Sequence, residues 1–191
     1  LTLLTTLLDF TIPGEIGLLV SEESTESSEE RIGKGGVFEG KELAQVFSSL
    51  RANDLIWNYV SGGYLQGKAP TAFDLLFWNA DSTNLPGPMY TWYLRNTYLE
   101  NNIAKPGATT QAGVKVDLGT VDIPAFIFAA KEDHIVLWQG AYKSVHLLGG
   151  ETTFVLGASG HIAGVVNPPA KKKRSYWTAG TEKIEDPETW F

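Results

Sequence analysis

The sequence predicts an α/β fold in which a parallel sheet is interrupted by a mainly helical insertion. Three observations carry that expectation. A Leu- and Thr-rich run opens the chain at residues 1–9, and two short apolar runs return late, "VDIPAFIFAA" at 121–130 and "TTFVLG" from Thr152. Between those two lies "LWQGAYKSVHLLGG", a helix-length stretch, so the order strand, helix, strand describes one parallel crossover. The long segment between the first run and the last two reads as mostly helical.

Each element has its own signal. The strand at 1–9 is stopped by "TIPGEIG". "SEESTESSEE", residues 21–30, holds five glutamates and no base, which predicts a solvated acidic loop. From Glu39 to about Gly67 the pattern is helical: Leu43, Val46, Phe47 and Leu50 recur at spacings of three and four, as do Ile56, Trp57 and Val60. Asn53 and Asp54 are expected to cap the second of these helices. "FDLLFWNADSTNLPGP", residues 73–88, is apolar and then turn-rich, with Ser82 and Thr83 read as turn residues. Pro88 suits the first turn of a helix that sets Met89, Trp92, Tyr93 and Asn96 on one face, continued by Leu99 and Ile103, until "AKPGATT". The run to Ala130 has the doubly apolar character of a strand inside a parallel sheet. The following helix is stopped by two glycines, and the last strand opens into the glycine-rich "GASGH". The expected organisation is a core strand at 1–12, an insertion at 13–118 carrying the acidic loop 21–30, and further core strands and loops at 119–191. About three core strands leave sheet edges and apolar faces open, so the chain expressed alone is expected to self-associate or to need the part of the protein N-terminal to it.

Composition narrows the function. A hydrophobic content of 43% supplies a sizeable core, and a formal net charge of −7 argues against a nucleic-acid footprint. The chain has no cysteine, which removes disulfides, thiolate metal sites and a thiol nucleophile within these residues. No apolar run reaches the ~18 residues that span a bilayer. "LTLLTTLLDF" lacks the basic start of a signal peptide. It also begins in mid-pattern and without Met, as a domain entered partway would.

Functional groups of an open parallel sheet gather at the carboxyl ends of its strands. Asp133 follows one late apolar run and His161 the next, with the helix between them. Adjacent parallel strands would bring both loops to one rim, where an acid can fix an imidazole tautomer and stabilise the imidazolium. The order acid then histidine is that of the α/β-hydrolases, whose nucleophile comes earlier on a sharp strand-to-helix turn. Two readings stand at this point: an acid–base pair, or a loop-capping aspartate beside a surface imidazole. The glycines of "GASGHIAGV" let backbone pass close to a ligand or to a neighbouring strand. His134 reads as the loop's outer wall, with an auxiliary acid–base role as the alternative, and His146 as a surface residue of the helix. Three scattered histidines without carboxylates at ligand spacing offer no metal site. No G-x-S-x-G occurs, and Ser159, on the same loop as His161, is a poor nucleophile for it.

"LRANDLIWNYV", "FDLLFWNADSTNLPGPMYTWYLRNTYL", "VDLGTVDIPAFIFAAKEDHIV" and "FVLGASGHIAGVVNPPAKKKRSYW" together resemble the C-terminal catalytic region of polyhydroxyalkanoate synthases, the short-chain type in particular. The similarity runs from Leu1 to about Trp177. It implies a partial α/β-hydrolase fold, late parallel strands plus crossover helices, with a mainly helical cap insertion. It also implies an acyltransferase that polymerises 3-hydroxyacyl-CoA thioesters into an intracellular polyester with release of CoA. Family members use a Cys–His–Asp triad; the histidine matches His161, the aspartate Asp133, and His134 follows as in the family. The cysteine and its oxyanion hole are expected upstream of Leu1, making this chain a fragment that is inactive alone. Leu137 stands where relatives carry proline, and Thr91 where they often carry cysteine.

The resemblance further implies no cofactor beyond the CoA thioester substrate, a homodimer formed through the cap, and a cytoplasmic protein at the surface of polyester granules, with neither nucleic-acid partner nor transmembrane segment. The aromatics Trp57, Tyr59, Tyr64, Phe73, Phe77, Trp78, Tyr90, Trp92 and Tyr93 are read as the core of the cap or as the lining of an apolar route. "KKKR", 171–174, is read as a solvated basic patch or as an attractor of CoA phosphates. Two other functions remain: a non-catalytic dimerisation or granule-binding piece, and a serine hydrolase using Ser159.

Overall fold

The computed structural model describes residues 1–69, 81–180 and 182–191. The side chains of Asp54 and Pro169, and the aromatics Phe73, Phe77 and Trp78, lie outside the described set. In chain order, β1 (Thr2–Leu4) precedes α1 (Glu22–Ile32), β2 (Val37–Phe38), α2 (Gly40–Leu50), β3 (Leu85–Pro86) and α3 (Gly87–Leu94). The hairpin strands β4 (Thr110–Gln111) and β5 (Val114–Lys115) follow. Then come β6 (Ala125–Ala130), α4 (Trp138–Leu147), β7 (Thr152–Gly157), α5 (His161–Val165), β8 (Tyr176–Thr178) and α6 (Pro187–Trp190). The chain divides into two compact units, Leu1–Glu22 with Tyr93–Phe191, and Glu23–Trp92.

The first unit is built on a four-stranded sheet in the order β1-β6-β7-β8. β6 runs parallel to both β1 and β7, with Ala125 opposite Thr152 and Ala130 opposite Gly157, and β8 closes the edge antiparallel. Along β6 every second side chain, Ala125, Ile127 and Ala129, is buried against α4. Helix α4 answers with Trp138, Ala141, Tyr142 and Val145, a spacing of three, four and seven that makes one apolar stripe. Ile127, Tyr142 and Leu156 are among the most deeply buried side chains, and each contributes about 1.5–3 kcal/mol relative to exposure. The two glycines after α4 allow backbone contact: a Cβ on Gly149 would sit 2.2 Å from the Gly119 carbonyl oxygen.

The opposite sheet face is less covered. Phe126 is 39% exposed and Leu4 stands exposed in register with Phe128. The expected strand at 1–9 is short, because Thr5 takes φ 45° and turns the chain out of the sheet. Residues after it run across α4 instead, where Leu7 and Phe10 join the core and the Leu8 N–H donates to Ser144 Oγ at 3.3 Å. β8 adds a strand without a sequence signal, so four described strands pair in this sheet where the sequence predicts about three. The hairpin of β4 and β5 turns through Ala112 and Gly113, both at positive φ, as a two-residue loop of the primed type requires. His146, read as a surface residue, is part-buried, and its Nε2 lies 3.0 Å from the Ile184 carbonyl oxygen.

In the second unit the expected acidic loop is a helix. Glutamate is a good helix former, Glu22 and Glu23 open α1 at its positive end, and Arg31 closes it. Glu22, Glu23, Glu26 and Glu30 are exposed while Thr25 and Ile32 are buried, so composition describes only the outer side. Arg31 pairs with Glu42 at 3.5 Å. Asn53 does not cap a new helix: Ala52 is the N-cap, without a side-chain bond, of a π-helical stretch Asn53–Trp57, and Val60–Leu65 is π-helical too. Trp57, Tyr59 and Tyr64 are exposed, which removes them from the cap core, whereas Tyr90 stacks on Phe38 with centroids 3.8 Å apart.

The helix after Pro88 also buries a different face from the one the spacing suggested. Met89 is exposed, and Gly87 and Thr91 are buried. The smallest side chains let α3 approach the end of α1, and Thr91 Oγ1 donates to the Gly87 carbonyl at 3.1 Å. A π-helical stretch, Arg95–Leu99, then rotates the exit face, so Tyr98 packs edge-on to Phe10 and Asn102 donates to Asn96. Gly87→Ala would set a methyl group 2.2 Å from the Ile32 carbonyl oxygen. This substitution is expected to lower stability by about 1–3 kcal/mol, read as a fall in the urea midpoint at unchanged slope.

Candidate active site

β6 and β7 end side by side, and their pairing continues into the loops that follow. The Lys131 N–H donates to the Gly157 carbonyl at 2.8 Å and the Glu132 N–H to the Ser159 carbonyl at 2.9 Å. Two close contacts hold the loop after β7 down: a Cβ on Gly157 would sit 2.5 Å from the Phe128 ring, and one on Gly164 would sit 2.8 Å from Ala130 Cβ. The glycines around His161 therefore serve the approach to a neighbouring strand.

This lacing places Asp133 and His161 together. His161 Nδ1 lies 2.7 Å from Asp133 Oδ2. Asp133 Oδ1 accepts the N–H groups of Ile135 and Val136, both at 2.9 Å. The carboxylate side chain is 0% exposed and the imidazole 29% exposed. An ionised carboxylate only accepts hydrogen bonds, so Nδ1 carries the proton and Nε2 is left as the basic nitrogen. Three donors surround the one buried carboxylate and offset the cost of taking it out of water. The ring opens α5 after Gly160, and its partial exposure leaves it reachable by a reactant.

The other candidates sit differently. His134 is half-buried on the turn between Asp133 and the two backbone donors at 135 and 136. Ser159 is 3% exposed, on the loop of His161 itself, so its hydroxyl is closed to a substrate approaching from solvent. Leu137, at the N-cap of α4, holds φ −58°, within the range a proline ring imposes. Among the described residues no group of three or more His, Asp or Glu gathers to hold a metal, and no helix is long and apolar enough to cross a membrane. Sequence reasoning missed β8, which reaches this rim: the Ala158 N–H donates to the Ser175 carbonyl at 2.9 Å.

A family model described as alpha/beta hydrolase fold matches residues 25–168. The chain belongs to the α/β-hydrolase family. Within it, the poly(3-hydroxyalkanoate) polymerase subunit PhaC of Cupriavidus necator is 53% identical over 195 residues, covering 100% of this chain and 33% of that protein. The corresponding subunit of Rhizobium meliloti is 47% identical over 190 residues, 100% of this chain and 31% of that protein. Polymerase 1 of Ectopseudomonas oleovorans is 40% identical over 190 residues, 100% of this chain and 34% of that protein. The resemblance drawn from the sequence motifs is borne out across the whole chain. The chain spans about a third of the length of the curated relatives it matches.

Asp133→Asn tests the assigned tautomer in this α/β-hydrolase. An amide can donate where the carboxylate accepts, so the imidazole is expected to move its proton to Nε2, read by ¹⁵N chemical shifts of His161. The accompanying stability loss is expected to be about 1–3 kcal/mol, since one buried charge-assisted bond is weakened.

Proposed function

We propose that this chain supplies the acid–base pair of an acyltransferase that polymerises 3-hydroxyacyl-CoA thioesters into polyhydroxyalkanoate. The observation that carries the reading is the 2.7 Å bond between His161 and the buried Asp133 at the carboxyl rim of parallel strands. The 53% identity to a poly(3-hydroxyalkanoate) polymerase subunit supports the choice of polymer. His161 Nε2 takes the proton of a cysteine thiol that lies outside these 191 residues, since they contain no cysteine. The thiolate attacks the thioester carbonyl, and CoA departs as a thiol with the proton that His161 returns. The hydroxyl of another 3-hydroxyacyl unit then gives its proton to His161 and attacks the acyl-enzyme, which forms the ester bond and frees the cysteine. Asp133 holds the ring and stabilises the imidazolium throughout. The oxyanion donors belong with the cysteine on its elbow. No cofactor takes part, His134 forms the wall of the site, and the enzyme works in the cytoplasm at the polyester surface.

Exposed Leu55, Trp57, Tyr64 and Leu65 favour a second, compatible role for residues 13–118, as the cap through which two copies pair or meet the granule. In the full-length polypeptide, His161→Ala is expected to lower CoA release from 3-hydroxybutyryl-CoA by about 10⁴-fold or more while the unfolding midpoint changes little. Unchanged CoA release in that variant would leave only the binding role.

A further inference from the structure

We propose that Lys171, Lys172, Lys173 and Arg174 form a docking site for the phosphate groups of coenzyme A, on the same rim as His161. The name of the ligand rests on the thioester reading above; the preference for a polyphosphorylated anion rests on the residues themselves. Topology sets the position. β8 runs antiparallel to β7 with Tyr176 opposite Gly157, and the Ser175 carbonyl accepts the Ala158 N–H at 2.9 Å. The segment entering β8 therefore meets the sheet where β6 and β7 end, beside the loop that carries His161. The run is fixed at both ends, by this ladder bond and by the turn Pro169–Lys171, where the Lys171 N–H donates to the Pro168 carbonyl at 3.0 Å. Between them Lys172 takes φ 47°, a left-handed conformation that a side chain bearing a Cβ adopts at a cost.

Charge sets the ligand. The four side chains are exposed, and no carboxylate among the described residues pairs with them. In a chain of net charge −7, four consecutive unpaired cations make a local field of the opposite sign. They are consecutive in sequence, so neighbouring charges lie on the scale of the Debye length of about 8 Å at physiological salt and act together on a polyphosphorylated anion. The guanidinium of Arg174 can grip a phosphate with two parallel bonds, and the lysines add point charges.

The thioester has the matching shape. Its reactive sulfur and its 3′-phosphate and diphosphate are separated by the long pantetheine arm. Phosphate-binding cations therefore belong along the rim from the imidazole, several residues away and not against it. The growing polyester carries no phosphate, so these residues act on the entering substrate and the departing CoA alone. Their removal weakens binding without touching the chemical step.

The test uses the full-length polypeptide with the quadruple variant K171Q/K172Q/K173Q/R174Q. The KM for 3-hydroxybutyryl-CoA is expected to rise about tenfold or more with kcat within about twofold, and added salt should raise the wild-type KM in the same direction. The KM for the N-acetylcysteamine thioester of the same acid, which has no phosphate, is expected to stay unchanged. Equal losses with both thioesters, or no change with either, overturn the proposal. R174Q alone, expected to raise the CoA-thioester KM about threefold, keeps the test decisive if the quadruple variant folds poorly. Calorimetric titration with adenosine 3′,5′-bisphosphate separates the two readings. No binding to the wild type overturns the docking site and leaves the acyl transfer standing. Binding lost in the variant, from a protein that turns over no thioester, supports the site and overturns the acyl transfer.

Discussion

The backbone pairing of β6 with β7 is the constraint on which the rest of the structure depends. Ala130 stands opposite Gly157, and two further bonds, from Lys131 to Gly157 and from Glu132 to Ser159, carry the ladder beyond the strands. By the time the chain reaches Asp133 and His161, their separation has been set by main-chain geometry and not by their mutual attraction. A slip of one residue in that register would turn Ala125, Ile127 and Ala129 away from α4 and put Phe126 and Phe128 in their place. Core and site therefore stand or fall on a single register.

The buried carboxylate links the sheet to the helix that covers it. Asp133 follows the end of β6, and its two backbone donors, Ile135 and Val136, lead directly into α4. A charge with no exposed atoms is stable only while all of its donors stay in place. Bending the entrance of α4 would strip two of them and loosen the third. Trp138 and Tyr142 resist that bend from below, packed with Trp190 of α6 against Phe154. Orientation of the imidazole is thus maintained from the hydrophobic core through one carboxylate.

What the sequence made legible was whatever depends on local period. β6, α4 and β7 announce themselves because apolar residues recur at two or at three and four, and Asp133 and His161 are found by standing where those runs stop. β8 gives no such signal: Tyr176, Trp177 and Thr178 make a strand of three exposed residues that exists only because β7 offers an edge. The helix α1 was hidden for the opposite reason. Its glutamates have strong helix propensity, but a run of like charge reads as solvated chain unless one sees that Thr25 and Ile32 lie on a shared buried side. The face of α3 is not legible in the sequence because large apolar side chains suggest the contact, whereas close packing uses small residues, Gly87 and Thr91. His146 likewise looked superficial until the segment around Ile184 folded over it.

β1 has a temporal consequence. Among the described residues its partner is β6, and the Leu1 nitrogen donates to the Pro124 carbonyl at 2.8 Å across 123 positions of sequence. At ribosomal speeds of ~5–20 residues per second, β6 is synthesised on the order of ten seconds after β1. The β6–α4–β7 crossover is complete within one short contiguous stretch and needs no such delay. Closing the β1–β6 pair joins segments more than a hundred residues apart, whereas the crossover joins segments separated by one short helix.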